Sequence, residues 1–210
     1  MRDRTVINGE FTDTKPGPMA GRFDQISMGF HWLTVLLVVS QFAAAWSLDY
    51  VGEAATVVLT VHRSLGIVTW TVVLGRLIWR RNFAHVPAFP ASMPKLQQII
   101  AKLNEFGLYT LLLIQPLTGL ADTLFRGHPF DLFFWEAPKV FDKNKALAHA
   151  LHSVHVFGAW ALLALIGMHA GAALLHGVIL RDGVLQRMLP WTARDPEARR
   201  LAAGNPAAAE

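Results

Sequence analysis

The chain has 210 residues, of which 53% are hydrophobic and only 16% are charged, with a mean hydropathy of +0.35 and a formal net charge of +4. Soluble domains carry about a quarter charged residues, so the composition excludes a chain whose whole surface faces water. The absence of cysteine excludes disulfides, thiolate zinc sites, cysteine-ligated iron–sulfur clusters and covalently attached c-type haem.

Four apolar segments are long enough to be membrane-spanning helices, because a bilayer core requires about 20 apolar residues of helix. In chain order they cover about residues 26–48, 56–79 and 106–123, and the last lies within 146–180. No charged residue occurs in the first or the last segment, and the third is bounded by Glu105 and Asp122. The sequence therefore predicts an all-α integral membrane protein, built as a bundle of four transmembrane helices.

Lysine and arginine residues orient the bundle, because the cytoplasmic connections of membrane proteins are enriched in both. They occur before the first span, between the second and third spans, and after the fourth, but not between the first and second. The third connection also carries Arg126, Lys139, Lys143 and Lys145, which weakens this bias without reversing it. Both termini are therefore predicted to be cytoplasmic. Because the basic residues flank apolar spans, they do not indicate nucleic-acid binding.

Three regions follow from these boundaries. We predict a cytoplasmic N-terminal arm over residues 1–21, the helical bundle over 22–190, and a cytoplasmic tail over 191–210. The tail consists largely of Ala, Arg, Pro and Glu and lacks a hydrophobic stripe, so we predict that it is disordered.

Histidines inside the spans are the main functional signal, because an ionisable residue in a membrane is costly and usually functional. His31 lies near the cytoplasmic end of the first span, and His62 lies near the outer end of the second. In the fourth span His155 lies near the outer end, and His169 follows fourteen residues later. Fourteen residues of helix rise about 21 Å and return within about 40° of the same face. The depths therefore pair His31 with His169, and His62 with His155.

Two pairs of imidazoles at different depths are the ligand set that two stacked haems require. Haem iron accepts histidine as an axial ligand, and two imidazoles leave no open position for oxygen. The sequence therefore predicts two non-covalent haems b, whose irons are bound by His31, His62, His155 and His169. Arg76, fourteen residues beyond His62, lies at the depth of the cytoplasmic haem, where a propionate would neutralise it. The alternative is that the long Arg76 side chain extends so that its charged group lies at the membrane–water interface.

Other interpretations of the same residues remain open. A single histidine in a span can merely hydrogen-bond a neighbouring helix, and His152, one turn before His155, competes as the outer ligand. Glycines near the four histidines would let a flat macrocycle approach the helices, but they equally suit close helix packing. These glycines are Gly29, Gly66, Gly158 and Gly171.

A metal or proton transporter is the alternative from a different functional class. His149, His152 and His155 are spaced three residues apart on the fourth span, which suits a divalent metal. Transport would also require carboxylates along a path at midplane depth, and the predicted spans offer none.

At these residues the chain resembles the prokaryotic cytochrome b561 family, over about residues 22–190. The resemblance is carried by motifs whose order and spacing match. They are His31-Trp32, His62-Arg63-Ser64-Leu65-Gly66, Pro116-Leu117-Thr118-Gly119, His155 and His169 fourteen apart, Ala172-Ala173-Leu174-Leu175-His176, and Arg181-Asp182-Gly183-Val184-Leu185-Gln186-Arg187-Met188-Leu189-Pro190. Members often carry a histidine early in the third span, where this chain has Asn104-Glu105.

The resemblance implies a multi-pass protein of the bacterial inner membrane that holds two haems b and exchanges electrons with ubiquinone. Some members are similar to superoxide oxidases, which pass an electron from superoxide to ubiquinone. Others serve as the cytochrome b membrane subunit of a separate dehydrogenase or periplasmic redox partner. For an anionic donor, an outer basic surface with Lys139, Lys143 and Lys145 would raise the rate of encounter.

Overall fold

A computed structural model of the protein describes residues 21–90 and 93–190, together with the backbone of two short strands near the N-terminus. Four helices dominate it, each long and apolar enough to cross a membrane. They are α1 (Gln25–Ser47), α2 (Ala55–Asn82), α3 (Lys95–Phe125) and α4 (Lys145–Leu174). The predicted all-α bundle of four transmembrane helices is confirmed. Its orientation stays a prediction, and the tail over 191–210 lies outside the described residues.

The first residues of the bundle and the last residues that the structure describes meet at one end of the bundle, which we call the terminal end. Arg22 Nη2 donates to the Leu189 carbonyl at 2.7 Å, and Trp32 Nε1 donates to the Met188 carbonyl at 2.9 Å. A π-helical turn (Leu175–Leu180) and a 3₁₀ turn (Leu185–Met188) carry the chain from α4 back towards the start of α1. Of the N-terminal arm, only strands β1 (Thr5–Ile7) and β2 (Glu10–Thr12), an antiparallel pair, and Gly21 are described.

Asp24 fixes the start of α1 and joins it to the end of α2. Its carboxylate accepts hydrogen bonds from Ser27 N at 2.8 Å and from Trp79 Nε1 at 3.1 Å. Burial alone would raise the pKa of Asp24, but the hydrogen bonds from Ser27 and Trp79 outweigh it, so the pKa is lowered. The side chain therefore stays ionised and caps the positive end of the helix dipole.

Helix α3 starts eleven residues before the predicted boundary, at Lys95 instead of residue 106. The first three turns mix apolar residues with Lys, Gln, Asn and Glu side chains, so a criterion that requires a continuous apolar run misses them. Pro116 lies inside α3 and does not end it. Glu105 therefore belongs to the helix, as does Asp122 of the predicted span. The expectation that the spans offer no carboxylates along a path at midplane depth stays a prediction.

The connection between α3 and α4 forms a hairpin that the sequence did not predict. Strands β3 (Phe130–Leu132) and β4 (Trp135–Ala137) are antiparallel, and Phe133 at their turn has a φ of +54°. The Phe133 amide donates to the Ser64 hydroxyl at 2.7 Å, which fixes this hairpin against α2. We call this side of the bundle the hairpin end.

A small apolar core joins all four helices midway between the two ends. It consists of one buried residue from each helix: Val38, Val73, Leu112 and Leu162. Helix α1 packs against α2, α2 against α3, and α3 against α4. Among the described residues, neither α1 nor α2 packs extensively against α4, so α4 faces these two helices across the bundle.

Gly127, where the chain leaves α3, should tolerate no side chain. Its φ is +71°, and a Cβ there would lie 2.5 Å from the backbone nitrogen of Lys143. Gly183 is the matched control, because its φ is +81° but a Cβ would meet nothing within 4 Å. We expect Gly183→Ala to cost about 1 kcal/mol, the strain of the left-handed backbone alone. Gly127→Ala should cost at least about 2 kcal/mol, because the clash is with backbone. Thermal unfolding in detergent measures both, and equal losses would contradict the close approach.

Candidate histidine sites in the bundle

Four histidines form two pairs that face each other between helices. The terminal pair joins His31 of α1 to His169 of α4, with ring centroids 6.1 Å apart and ring planes at 60°. The hairpin pair joins His62 of α2 to His155 of α4, with centroids 6.2 Å apart and planes at 86°. The structure thus brings together the residues that were paired by depth in the sequence. It also places the pairs between helices that do not pack extensively against each other.

The separation within each pair fits one metal ion between two imidazoles. An imidazole nitrogen binds a transition metal at about 2.0–2.1 Å, and it lies about 1.1 Å from the centre of its ring. Two rings on opposite sides of one iron therefore have centres about 6.2–6.4 Å apart, against 6.1 Å and 6.2 Å here.

Backbone carbonyls hold the rings of the hairpin pair. His62 Nδ1 lies 3.3 Å from the Gln41 carbonyl oxygen, and His155 Nδ1 lies 3.1 Å from that of Gln115. Because a carbonyl can only accept, each Nδ1 carries the proton and each Nε2 keeps a lone pair for a metal. Thr118 adds a second acceptor, its hydroxyl oxygen lying 3.1 Å from His155 Nδ1. The Thr118 hydroxyl itself donates to the Gln115 carbonyl, so its oxygen is free to accept.

Close contact between α3 and α4 fixes His155 further. Gln115 Nε2 donates to the His155 carbonyl at 2.9 Å. A Cβ at Gly119 would lie 2.9 Å from the His155 ring, and one at Gly158 would lie 2.5 Å from Gln115 Oε1. Two explanations were open for the glycines near the histidines, the approach of a macrocycle and close helix packing. Helix packing therefore fits Gly158 better, and it also fits Gly66, which lies beside Gln41. Gly29 and Gly171 differ, because a Cβ there would meet nothing within 4 Å, which leaves room for a flat group.

The terminal pair is held by polar side chains. Arg76 Nη2 lies 3.3 Å from His31 Nδ1, and its guanidinium lies over the Tyr109 ring at 5.4 Å. Asn104 is buried, and its amide, oriented so that both polar atoms are satisfied, accepts from the His169 backbone amide and donates to the Leu165 carbonyl, each at 3.3 Å. Asn104 therefore supports the turn of α4 that carries His169.

Three buried polar atoms beside the pairs have no hydrogen-bond partner among the described residues. They are Gln41 Oε1, Arg63 Nε and Tyr109 Oη. Gln41 and Arg63 adjoin His62, and Tyr109 lies under Arg76. Buried polar atoms without partners are uncommon, and three of them beside two histidine pairs fit a bound group that carries polar substituents.

The competing histidines turn elsewhere. His152 lies 3.3 Å from Asp122 Oδ2 and is half exposed, so His155, not His152, faces His62. His149 is exposed, and His176 is buried against Asp182 at 2.5 Å. Among the described residues, no group of three or more His, Cys, Asp or Glu side chains could hold a metal ion. The transporter alternative therefore has no site in this part of the chain.

A basic cavity opens at the hairpin end, with a volume of about 260 Å³. Its polar lining consists of Arg126, His128, Lys143, Lys145, His149 and His152. Lys139, predicted to belong to the same basic surface, instead forms an ion pair with Asp142 at 2.7 Å. No carboxylate from the described part of the chain lines the cavity, so it favours an anion.

Several residues of these sites were missed from the sequence. In the sequence Asp122 only bounds an apolar run, and Asn104 only departs from the pattern of the family that the chain resembles. The carbonyls of Gln41 and Gln115 carry no sequence signal, because any residue supplies a carbonyl. Thr118 belongs to the Pro116-Leu117-Thr118-Gly119 motif, but only the structure shows that its hydroxyl contacts His155.

Comparison with known proteins identifies the family of the chain. The family described as prokaryotic cytochrome b561 matches residues 22–191. Cytochrome b561 homologs 1 and 2 of Escherichia coli are 28% and 29% identical, over 80% and 83% of this chain and 97% and 94% of theirs. A protein of Yersinia pestis called probable superoxide oxidase CybB is 29% identical over 82% of this chain and 98% of its own. The chain therefore belongs to the prokaryotic cytochrome b561 family, and it is a multi-pass membrane cytochrome b of electron transfer.

Proposed function

We propose that the protein carries electrons through the membrane by way of two haems b, one at each histidine pair. His31 and His169 would hold one haem, and His62 and His155 the other, all through Nε2. The observation that carries this proposal is that both pairs have the ring separation of two axial ligands on one iron. A haem bound in this way exchanges single electrons and offers no open position to oxygen.

The protein's own groups prepare these ligands. The Gln41 and Gln115 carbonyls and the Thr118 hydroxyl fix the tautomer and orientation of the hairpin pair, as outer-shell partners of metal ligands commonly do. At the terminal pair, a His31 that binds through Nε2 carries its proton on Nδ1. Arg76 can then no longer donate to it, so its guanidinium is available to a propionate.

The donor would enter at the hairpin end, which charge placement assigns to the outer side of the bacterial inner membrane. The basic cavity there attracts an anion, and superoxide is the candidate that a relative's name supplies. The acceptor would be membrane ubiquinone at the terminal end.

Haem content tests the ligand assignment directly. The purified protein should show a bis-histidine b-type spectrum with two haems per chain. His155→Ala should retain only one haem, because it removes one axial ligand of the hairpin pair. His152→Ala, one turn away, should retain both, because its ring turns to Asp122. The reduced-minus-oxidised spectrum with haem quantitation measures all three proteins. A haem-free wild type would refute the function, and equal loss in both variants would refute the choice of ligand.

The basic cavity should accelerate an anionic donor. Exchanging Lys143 and Lys145 for Glu should slow superoxide-dependent reduction of ubiquinone about tenfold at low salt and make it less sensitive to salt. Lys139→Glu is the matched control, because Lys139 is already paired with Asp142 and lies outside the cavity lining. It should have a smaller effect. Stopped-flow rates at several salt concentrations test this, and equal effects at all three lysines would show that the cavity has no special role.

A further inference from the structure

Helix α3 carries one carboxylate in each half of the bundle. Asp122, in the hairpin half, is buried with 8% of its surface exposed. Glu105, in the terminal half, is half-buried and forms an ion pair with Arg80 at 2.6 Å. Keeping an ionised carboxylate inside a membrane span is costly, and such a residue usually has a function. Asp122 is not a metal ligand in the proposed sites, so its role requires another explanation.

The charge of Asp122 has a stronger electrostatic effect inside the bundle than the charge of Arg126, the cation paired with it. Arg126 donates to both of its carboxylate oxygens, at 3.0 Å and 2.9 Å. The Arg126 side chain is 45% exposed and lines the basic cavity, whereas that of Asp122 is 11% exposed. Water screens the field of an exposed charge, but a buried charge acts through a medium of low dielectric constant. Within this ion pair the buried Asp122 carboxylate is therefore less screened than the Arg126 guanidinium.

Asp122 lies one helical turn beyond the hairpin pair. It belongs to the same contact surface between α3 and α4, which we call the seam. Thr118 contacts the His155 ring, and Asp122 follows Thr118 by one turn on the same face of α3. On α4, its partner His152 precedes His155 by one turn. The carboxylate is thus about one helical pitch, roughly 5.4 Å, from the level of the His155 ring.

The terminal pair has a charge of the opposite sign beside it. Arg76 lies 3.3 Å from His31 Nδ1, and among the described residues no carboxylate is within ion-pair distance of it. Its charged neighbours are Arg80 and Glu105, so the group of charges around Arg76 has two arginines and one carboxylate. Arg63, which follows His62 in the chain, has Arg126, Asp122 and Asp131 as neighbours, so the group of charges around it has two arginines and two carboxylates.

We propose that Asp122 and Arg76 set the reduction potentials of the two haem sites in opposite directions. The proposal rests on the function proposed above. A negative charge near an iron stabilises its oxidised form and lowers the potential, and a positive charge raises it. The terminal site is therefore the easier one to reduce. An electron that enters at the hairpin pair moves downhill to the terminal pair, so these two residues act as positioning residues that direct the transfer.

Redox titration of the purified protein, followed in the visible spectrum, tests the proposal. Asp122→Asn should raise the lower of the two potentials, and Arg76→Gln should lower the higher one. Each substitution should bring the two potentials closer together. The equilibrium ratio in which one electron divides between the two sites should therefore fall about tenfold. Asp122→Glu, which keeps the charge, should stay near wild type. Glu105→Gln is the matched control, because its carboxylate is more exposed, and it should move neither potential as far.

Arg126→Gln separates an electrostatic effect from a structural one. It leaves the Asp122 carboxylate without its main cation, so it should lower the same potential that Asp122→Asn raises. If the substitutions merely loosened the contact between α3 and α4, the potential would move in the same direction in both variants, and that outcome would overturn the proposal. Unchanged potentials in Asp122→Asn would overturn it as well. Haem quantitation on the same samples distinguishes the two claims. Fewer than two haems in the wild type would refute the proposed function, whereas two haems with unmoved potentials would refute only this inference.

Discussion

The structure depends on holding two imidazole rings at a separation that fits one metal ion between them. The helices that carry the two rings of each pair do not pack extensively against each other. Helix α4 supplies one ring to each pair but packs mainly on α3, so α3 has to fix its position. It does so with small residues and side-chain amides: Gly119 lies against the His155 ring, and Gln115 and Asn104 bind the backbone of α4 beside the two histidines. A single misplaced turn of α4 would misalign both pairs at once, since both of its histidines lie on the same stripe.

The two halves of the bundle solve the same problem with different chemistry. In the hairpin half, neutral carbonyl acceptors orient the rings, and the charges nearby are matched in number. In the terminal half, a buried arginine approaches His31 and an aromatic ring supports that arginine. Because the second shell of a haem tunes its potential, the two pairs would give their haems different potentials in the function proposed above. The basic cavity would then serve the entry of electrons at the hairpin end.

Much of this could be read from the sequence, because hydropathy and helical periodicity are local properties. The four helices and the depth of each histidine follow from spacing alone, and so does the meeting of His31 with His169. The start of α3 could not be predicted, because its first turns mix apolar residues with charged and amide side chains and form no continuous apolar run. The β3–β4 hairpin was missed because Ser64, which anchors it, is sixty-nine residues away in the chain. The buried state of Asp122 depends on Arg126 and on α4, and no local pattern in α3 reveals it.

The apolar layer of Val38, Val73, Leu112 and Leu162 lies midway along the helices, between the two histidine pairs. An electron can tunnel through such a layer, but a proton or an ion needs a chain of polar groups or water, and these four side chains provide none. Electron transfer between the pairs would therefore move negative charge alone through the bundle. In the function proposed above, each turnover would then add to the voltage across the membrane, and the reaction would store energy in that form.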